Sequence, residues 1–286
     1  MPMSKSNAMS ADGHVARKRF GQNFLHDPGL ISRIIGLIDP RPGDRLVEIG
    51  PGQAALTEPL IQKAGRVHAI EIDRDLCARL RGRFSDAELS VEQQDVLRLD
   101  FQRLSEQLGG PVRIVGNLPY NISTPILFHL LEAANCIVDQ HVMLQKEVVD
   151  RMVAPHGSKI YGRLSVILQA RYRMVRCLAV PPGAFHPAPK VDSAVIRMVP
   201  LPISDIQVQD WPIFSAVVAM AFSQRRKMLR NTLAAYIDLV NWTALGIAPT
   251  QRAEELSVRQ FIDLANAVAS IPAPLKGGQG IETGAT

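Results

Sequence analysis

Short apolar runs that alternate with helical patterns constrain the fold of this chain more than any other feature. The clearest example begins at Arg45, where the apolar run "RLVEIG" has the length of a buried strand and leads into a turn containing Gly50 and Gly52. A helical pattern follows and ends near Gly65, and a second apolar run, "VHAIEID", comes next. This order predicts a β–α–β unit, which is typical of an α/β fold with a parallel sheet.

The glycine turn of this unit carries features that adenosine-containing cofactors require. Glycines allow a ligand to approach the backbone, and an acid about 20 residues later, here Glu71, can accept hydrogen bonds from both ribose hydroxyls. The spacing Gly50-x-Gly52-x-x-Ala55 also satisfies a loose dinucleotide fingerprint. The pattern indicates an adenosine-containing cofactor and leaves open whether it is a nicotinamide dinucleotide or S-adenosylmethionine.

A third apolar run, in "LSVEQQDVLRLDF", predicts a strand that ends near Asp95. A carboxylate at the end of this strand can accept a hydrogen bond from the adenine amino group of a bound cofactor. The alternative is an ordinary exposed carboxylate in a loop.

The fourth predicted strand, residues 112–115, leads into "GNLPYNISTP", and a helical pattern follows with Ser123 as the predicted N-cap. Asn117, Pro119 and Tyr120 are therefore expected at the carboxyl end of a strand, where open α/β sheets bind their ligands. The amide oxygen and the prolyl carbonyl can accept hydrogen bonds from an exocyclic amine, and the tyrosine ring can stack on a planar base. The alternative is a turn whose Asn and Pro only shape the backbone.

The second half of the chain differs in composition. A proline-rich segment presents Phe185 on a stiff, extended backbone. Residues 204–272 have helical patterns, including a capping box formed by Ser257 and Gln260. One predicted amphipathic helix in this region carries basic residues that suit phosphates, with a solvated charged surface as the alternative; these residues are Arg225, Arg226, Lys227 and Arg230.

The excess of positive charge lies in the second half of the chain. Residues 1–145 contain 16 Lys and Arg against 17 Asp and Glu, whereas residues 146–286 contain 16 against 10. Such an asymmetry is typical of a protein that binds a polyanion such as nucleic acid. A merely soluble basic surface is the alternative.

The remaining composition argues against several classes of protein. No apolar run approaches the roughly 20 residues of a membrane span, and the first residues lack the apolar middle of a secretory signal. Cys77, Cys136 and Cys177 have no paired spacing, and the seven histidines have no metal-ligand spacing. We therefore expect a cytoplasmic protein without a membrane or metal partner.

Six short motifs follow one another along the chain. They are "GQNFL" (21–25), "EIGPG" (48–52), "EID" (71–73), "QDVL" (94–97), "NLPYNIST" (117–124) and Phe185-x-Pro-x-Pro-x-Val-x-Ser193. Their order and spacing resemble those of the ribosomal RNA small-subunit adenine N6-dimethyltransferases, over about 17–268. The resemblance implies a Rossmann-like class I methyltransferase sheet, of the α/β class, with a small C-terminal all-helical domain. It implies S-adenosylmethionine as the cofactor, bound by Asn23, Leu25, Gly50, Glu71, Asp95 and Asn117.

The reaction implied by this resemblance is the N6,N6-dimethylation of two adjacent adenines. The adenines would lie in a 3′-terminal hairpin loop of small-subunit (16S) rRNA, and the reaction would be coupled to maturation of the subunit. Asn117 and Pro119 would hold the amine hydrogens, while Tyr120 and Phe185 would sandwich the target base outside its stack. No strong general base is expected, because the alkylated amine is acidic enough to lose its proton to water.

The corresponding organisation is a monomer with a disordered extension (1–16), a methyltransferase domain (17–203), a helical RNA-binding domain (204–272) and a flexible tail (273–286). Three alternatives remain open. The first is a nicotinamide dehydrogenase, although it would leave the Asn-x-Pro-Tyr motif unexplained. The others are an adenine methyltransferase acting on large-subunit rRNA or DNA, and a ribosome-assembly factor that works mainly by binding.

Overall fold

Nine strands and ten α-helices form within residues 22–271, the part of the chain that the computed structural model describes. The strands are β1 (Phe24–Leu25), β2 (Leu46–Ile49), β3 (Val67–Glu71), β4 (Leu89–Gln93), β5 (Val112–Asn117), β6 (Ile137–Gln145), β7 (Tyr172–Val180), β8 (Phe185–His186) and β9 (Ser193–Pro200). The helices are α1 (Pro28–Ile38), α2 (Thr57–Ala64), α3 (Arg74–Arg83), α4 (Phe101–Gln107), α5 (Ser123–Glu132), α6 (Lys146–Met152), α7 (Arg163–Gln169), α8 (Trp211–Ala221), α9 (Leu229–Thr232) and α10 (Val258–Ala269). The predictions for 1–16 and 273–286 lie outside the described residues.

Seven strands form one sheet in the order β4-β3-β2-β5-β6-β9-β7. The five strands from β4 to β6 in this order are parallel, and β9 is antiparallel to β6. Strand order reverses direction between β2 and β5, which creates a crevice at their carboxyl ends. The sheet confirms the predicted α/β class and the predicted β–α–β unit.

The centre of this sheet depends on close contact between β2 and β5. All four residues of β2 are buried, as expected for a parallel strand that is covered on both faces. A Cβ atom at Gly116 of β5 would lie 2.4 Å from the carbonyl oxygen of Ile49, so the two strands can approach only because this residue is glycine. Immediately after β2, Gly50 and Gly52 have φ angles of 69° and 58°, which L side chains rarely adopt. The glycine turn therefore lies at the crevice.

Strands β1 and β8 form a separate antiparallel pair, in which Phe24 is opposite His186 and Leu25 is opposite Phe185. A Cβ atom on Gly52 would lie 3.1 Å from the ring of Phe24. The short strand β1 therefore packs directly on the glycine turn, and it brings residues far apart in sequence to the same end of the main sheet.

The chain divides into two compact units, and the division differs from the predicted boundary after residue 203. Among the described residues, one unit comprises 22–150 together with Arg173–Pro200. The other comprises Arg151–Tyr172 together with 201–271. The segment that precedes β7 thus belongs with the helices near the C-terminus, which a single boundary in sequence could not anticipate.

Packing within the second unit explains this division. Helix α7 packs against α8 and α10, and all three have buried apolar faces. The ring centroids of Tyr161 and Phe222 lie 6.1 Å apart, and those of Phe222 and Phe261 lie 5.6 Å apart. These aromatic contacts join residues near α7 to α8 and α10.

Two local predictions are wrong and two are confirmed. Ser123 is the first residue of α5 rather than its N-cap, which is Ile122. The predicted amphipathic helix carrying the basic residues is instead a turn over most of 222–228, followed by the four-residue helix α9. The predicted capping box at Ser257 and the predicted N-cap at Asp27, which precedes Pro28 in the first turn of α1, are both present.

Candidate functional site

A cavity open to solvent lies at the carboxyl ends of the central strands of the first unit. The glycine turn after β2, the end of β3, the loop after β4 and the loop after β5 form its walls, together with β1. Eight predicted site residues line it: Asn23, Leu25, Gly50, Glu71, Asp95, Asn117, Pro119 and Tyr120. The structure thus brings together every residue predicted to bind the cofactor.

Glu71 is held at the end of β3 with its carboxylate facing the glycine turn. The backbone N–H of Gly52 donates to Oε2 at 3.3 Å, and the backbone N–H of Asp73 donates to Oε1 at 2.9 Å. Burial raises the pKa of this carboxyl, and the two backbone donors act in the opposite direction. Both oxygens retain lone pairs for further hydrogen bonds, which is the arrangement that a ribose diol requires.

Asp95 and β1 form two further walls. The Asp95 side chain accepts a hydrogen bond from the backbone N–H of Leu97 at 3.0 Å, which fixes its orientation in the short 3₁₀ turn that follows β4. Leu25, on β1, is buried and also lines the cavity, where it presents an apolar surface. The cavity therefore offers an acceptor and an apolar wall, which suits a purine ring with an exocyclic amine.

Asn117, the last residue of β5, has one half of its amide satisfied and the other half open. Its Nδ2 donates to the carbonyl oxygen of Asn23 at 2.9 Å. Its Oδ1 is buried, and no donor among residues 22–271 lies within hydrogen-bond distance of it. A buried acceptor without a partner costs about 1–3 kcal/mol. The bond to Asn23 orients the amide, and the open oxygen is available to an amine in the cavity.

Pro119 and Tyr120 follow in a tight turn. The Pro119 carbonyl accepts a hydrogen bond from the backbone N–H of Ile122 at 3.2 Å and retains a second lone pair. The phenolic oxygen of Tyr120 lies 2.5 Å from the hydroxyl of Ser193, so the ring is tied at its far end. Burial raises the pKa of this phenol, while its bond to Ser193 acts in the opposite direction.

Phe185 does not line the cavity, contrary to the predicted stacking role. Its side chain is 2% exposed and belongs to the hydrophobic core with Leu25 and Val195. The reason is its pairing with Leu25 in the β1–β8 sheet, which buries the ring instead of presenting it. The prolines on which the prediction relied, Pro187 and Pro189, follow it closely in sequence.

The sequence matches the family described as "Ribosomal RNA adenine dimethylase" over residues 13–270. The chain belongs to this family. It is 54% identical over 257 residues to the ribosomal RNA small subunit methyltransferase A of Aromatoleum aromaticum, covering 90% of this chain and 96% of the relative. It is 55% identical over 255 residues to the protein of the same name from Bordetella petrii, covering 89% and 96%.

Two solved structures share the fold of this family member. A dimethyladenosine transferase from Plasmodium falciparum aligns with a TM-score of 0.70 at 24% identity, covering 84% of this chain and 95% of that chain. The 23S rRNA methyltransferase ErmE aligns with a TM-score of 0.66 at 24% identity, covering 86% and 100%. Both confirm the predicted class I methyltransferase fold.

The predicted cofactor, S-adenosylmethionine, is confirmed by membership of the adenine dimethylase family, and the residues of the cavity fit it. The glycine turn leaves room at the backbone, Glu71 offers two carboxylate oxygens, and Asp95 offers another acceptor. Within residues 22–271, no group of three or more His, Cys, Asp or Glu side chains is placed to hold a metal ion. No helix in the same range is long and apolar enough to cross a membrane.

Sequence reasoning missed two polar residues of this site, although both stand in quoted motifs. Glu48, on β2, lines the cavity at 2% exposure, and its Oε2 has no hydrogen-bond partner among the described residues. Burial raises its pKa to about 7, the Thr57 hydroxyl acts against this shift, and the charge of Glu71 adds to it. An acid inside an otherwise apolar strand was the available signal. For Ser193 the available signal was its place at the end of the Phe185-x-Pro-x-Pro-x-Val-x-Ser193 motif.

The four predicted RNA-binding residues lie in the second unit and are exposed. Arg225 forms an ion pair with Glu254 at 3.3 Å and also donates to the carbonyl oxygen of Lys159. Arg226 and Lys227 lie in the turn that precedes α9, and Arg230 lies on α9. The turn presents its cations differently from a helix, because consecutive residues can all face solvent.

Proposed function

We propose that this chain dimethylates N6 of two adjacent adenines in a 3′-terminal hairpin loop of small-subunit rRNA, with S-adenosylmethionine as the methyl donor. Membership of the adenine dimethylase family supports the reaction, and relatives at 54–55% identity named for the small subunit support the substrate. The observation that carries the proposal is the buried, unpartnered Oδ1 of Asn117 in the cavity. An amine hydrogen is the partner that this oxygen lacks.

The chemistry of the substrate explains why an acceptor is needed. The lone pair of an adenine amine is delocalised into the ring, which makes the amine a poor nucleophile. When Asn117 Oδ1 and the Pro119 carbonyl accept its hydrogens, the nitrogen becomes more pyramidal and its lone pair is directed along one line. S-adenosylmethionine supplies a methyl group on a positively charged sulfur. Alignment of the amine by these two acceptors provides most of the catalytic effect.

Stacking and proton loss complete the proposed mechanism. The target base leaves its stack in the RNA and packs on the ring of Tyr120, which lines the cavity. Phe185 has no part in this mechanism, because its ring is buried in the core. The proton of the alkylated amine is lost to water, since that species is a strong acid and needs no dedicated base.

The second unit supplies RNA binding in this proposal. Residues 204–272 and the adjoining segment that includes α7 form the helical part, and Arg226 and Lys227 contact phosphates. We further propose that the chain acts as a monomer in the cytoplasm, without a metal, and that methylation accompanies maturation of the small subunit.

The test is transfer of labelled methyl groups to unmethylated small ribosomal subunits, with the products mapped by mass spectrometry. Large-subunit rRNA and DNA serve as parallel substrates, because the shared fold of the 23S rRNA methyltransferase does not distinguish among them. We expect dimethyladenine at two adjacent positions in the small-subunit hairpin. Transfer to large-subunit rRNA or DNA alone would overturn the choice of substrate. Binding to the small subunit without any transfer would favour an assembly factor.

A further inference from the structure

Tyr120 is fixed at both ends by buried serines. Its phenolic oxygen lies 2.5 Å from Ser193 Oγ, and its backbone carbonyl accepts a hydrogen bond from Ser123 Oγ at 3.2 Å. Ser193 and Ser123 are 0% and 2% exposed. The ring is therefore held by the backbone at one end and by a hydroxyl at the other.

Ser193 is itself held in the main sheet. It is the first residue of β9 and pairs with Gln145 of β6. The adjacent backbone is fixed as well, because the N–H of Lys146 donates to the carbonyl oxygen of Asp192 at 2.9 Å. The hydroxyl that meets the phenol thus belongs to a strand rather than to a mobile loop, and its position is determined by the sheet.

This arrangement uses the phenol for anchoring and leaves the face of the ring for the substrate. The phenol and the Ser193 hydroxyl are both neutral, and either of them can donate the hydrogen of this bond. A ring that is bonded through its far oxygen cannot swing about its first side-chain torsion without breaking that bond. Stacking with a base depends on where the ring plane lies, and a ring fixed in advance loses less entropy when the base arrives.

We propose that Ser193 is a positioning residue for methyl transfer, and that its hydroxyl holds the Tyr120 ring in the orientation that receives the target adenine. This inference rests on the stacking role given to Tyr120 under the proposed function. Ser193 does not contact the reacting atoms, and it acts through Tyr120.

The test compares two variants that remove the same hydrogen bond from opposite sides, Ser193→Ala and Tyr120→Phe. A hydrogen bond of this kind contributes about 0.5–1.5 kcal/mol, so each variant should lower kcat/KM for the RNA about two- to tenfold. The double variant should lose no more than either single variant, because both changes remove one interaction. A hairpin with 2-aminopurine at the target position reports stacking directly, and its fluorescence should be quenched less by both variants than by the wild type.

Ser165→Ala is the matched control. Ser165 is also 0% exposed and its hydroxyl donates to the carbonyl oxygen of Arg151, but it belongs to the second unit. It should lower the melting temperature as Ser193→Ala does and leave kcat/KM and the quenching unchanged. If Ser193→Ala does not fold, Tyr120→Phe, which keeps the shape of the ring, decides the matter.

Tyr120→Ala separates this inference from the proposed function. Full activity in Tyr120→Ala would remove the stacking role itself. A large loss in Tyr120→Ala combined with wild-type kcat/KM in Tyr120→Phe and Ser193→Ala would overturn only the positioning role of Ser193. Additive losses in the double variant would also overturn it, since two independent effects would then be present.

Discussion

The two ends of strand β5 carry polar side chains in opposite states of hydrogen bonding. At the amino end, Arg113 donates to both oxygens of Asp139 at 2.9 and 3.0 Å, to Asp44 at 2.6 Å and to the carbonyl oxygen of Ile38 at 2.6 Å. At the carboxyl end, the last residue of the strand is Asn117. The Oδ1 atom of its amide is buried and has no hydrogen-bond partner among the described residues.

This difference separates groups that stabilise the fold from groups that are kept for a ligand. The network of Arg113 joins the end of α1, the loop before β2 and strands β5 and β6, so it contributes to packing of the sheet. An open buried acceptor such as Asn117 Oδ1 reduces stability and is retained where a substrate completes it. Substitutions at the two ends should therefore affect different measurements.

Arg113→Met should give the largest effect, and the effect should be on stability. We expect the free energy of unfolding to fall by about 3–5 kcal/mol, because the buried Asp139 would lose its bidentate partner and keep only the longer contact with Arg197 at 3.9 Å. Methyl transfer per folded molecule, assayed well below the melting temperature, should stay at the wild-type level. Denaturant unfolding and the labelled-methyl assay measure the two quantities. Arg41→Met is the control, since the pair of Arg41 with Asp39 is exposed and contributes little.

Glu48→Gln should raise the free energy of unfolding, whereas Arg113→Met lowers it, and the increase should occur only at higher pH. The folded-state pKa of Glu48 is raised from 4.5 to about 7. Its folded and unfolded states are both protonated below the lower value, and both are ionised above the higher one. Between these values the unfolded chain releases the proton first, so stability falls as pH rises. The full cost above about pH 7 is about 3 kcal/mol.

Unfolding of the wild type and of Glu48→Gln at about pH 5 and about pH 8 measures this effect. The variant should be the more stable protein at the higher pH and should differ much less at the lower pH. An equal difference at both pH values would mean that Glu48 does not titrate in this range. The expected result would sharpen the comparison, because Glu48 would then be a second polar group of the cavity, besides Asn117, that reduces stability.

Asn117→Ala should reduce turnover about a hundredfold, since it removes an acceptor that aligns the reacting amine. RNA affinity should change little, and so should the free energy of unfolding, because loss of the bond to Asn23 offsets removal of the unpartnered acceptor. Asn117 also lines the cofactor cavity, so binding of S-adenosylmethionine is measured on the same variant and turnover is compared at saturation. Asn121→Ala, an exposed asparagine in the same loop, is the matched control. Wild-type turnover in Asn117→Ala would make this segment a simple turn.

The sequence was sufficient for the main sheet because its strands are continuous apolar runs and its turns contain glycine. It also identified the cavity residues at the ends of β2, β3 and β5, since the carboxyl ends of parallel strands meet at one edge of a sheet. The open state of Asn117 Oδ1 could not be predicted, because it depends on a hydrogen bond to Asn23, which is 94 residues away in sequence.

The errors have the same origin in contacts between distant residues. Phe185 stands on a proline-rich segment, yet its pairing with Leu25 buries the ring. Helix α7 packs against α8 and α10, which follow it by more than 40 residues, so a boundary placed by composition missed it. The basic turn has a helix-like sequence, but Arg225 is committed to Glu254.

The smallest expected effect extends the comparison to the second unit, where Arg225 is paired and its neighbours Arg226 and Lys227 are exposed. Arg226→Gln combined with Lys227→Gln should weaken binding to the small subunit about tenfold. The slope of log affinity against log salt should become shallower by about 1.5, because two phosphate contacts are lost. Turnover with saturating RNA should be unchanged. The control, Arg33→Gln with Lys63→Gln, removes the same charge from exposed positions of the first unit. If both pairs flatten the slope equally, net charge explains RNA binding and the turn has no specific role.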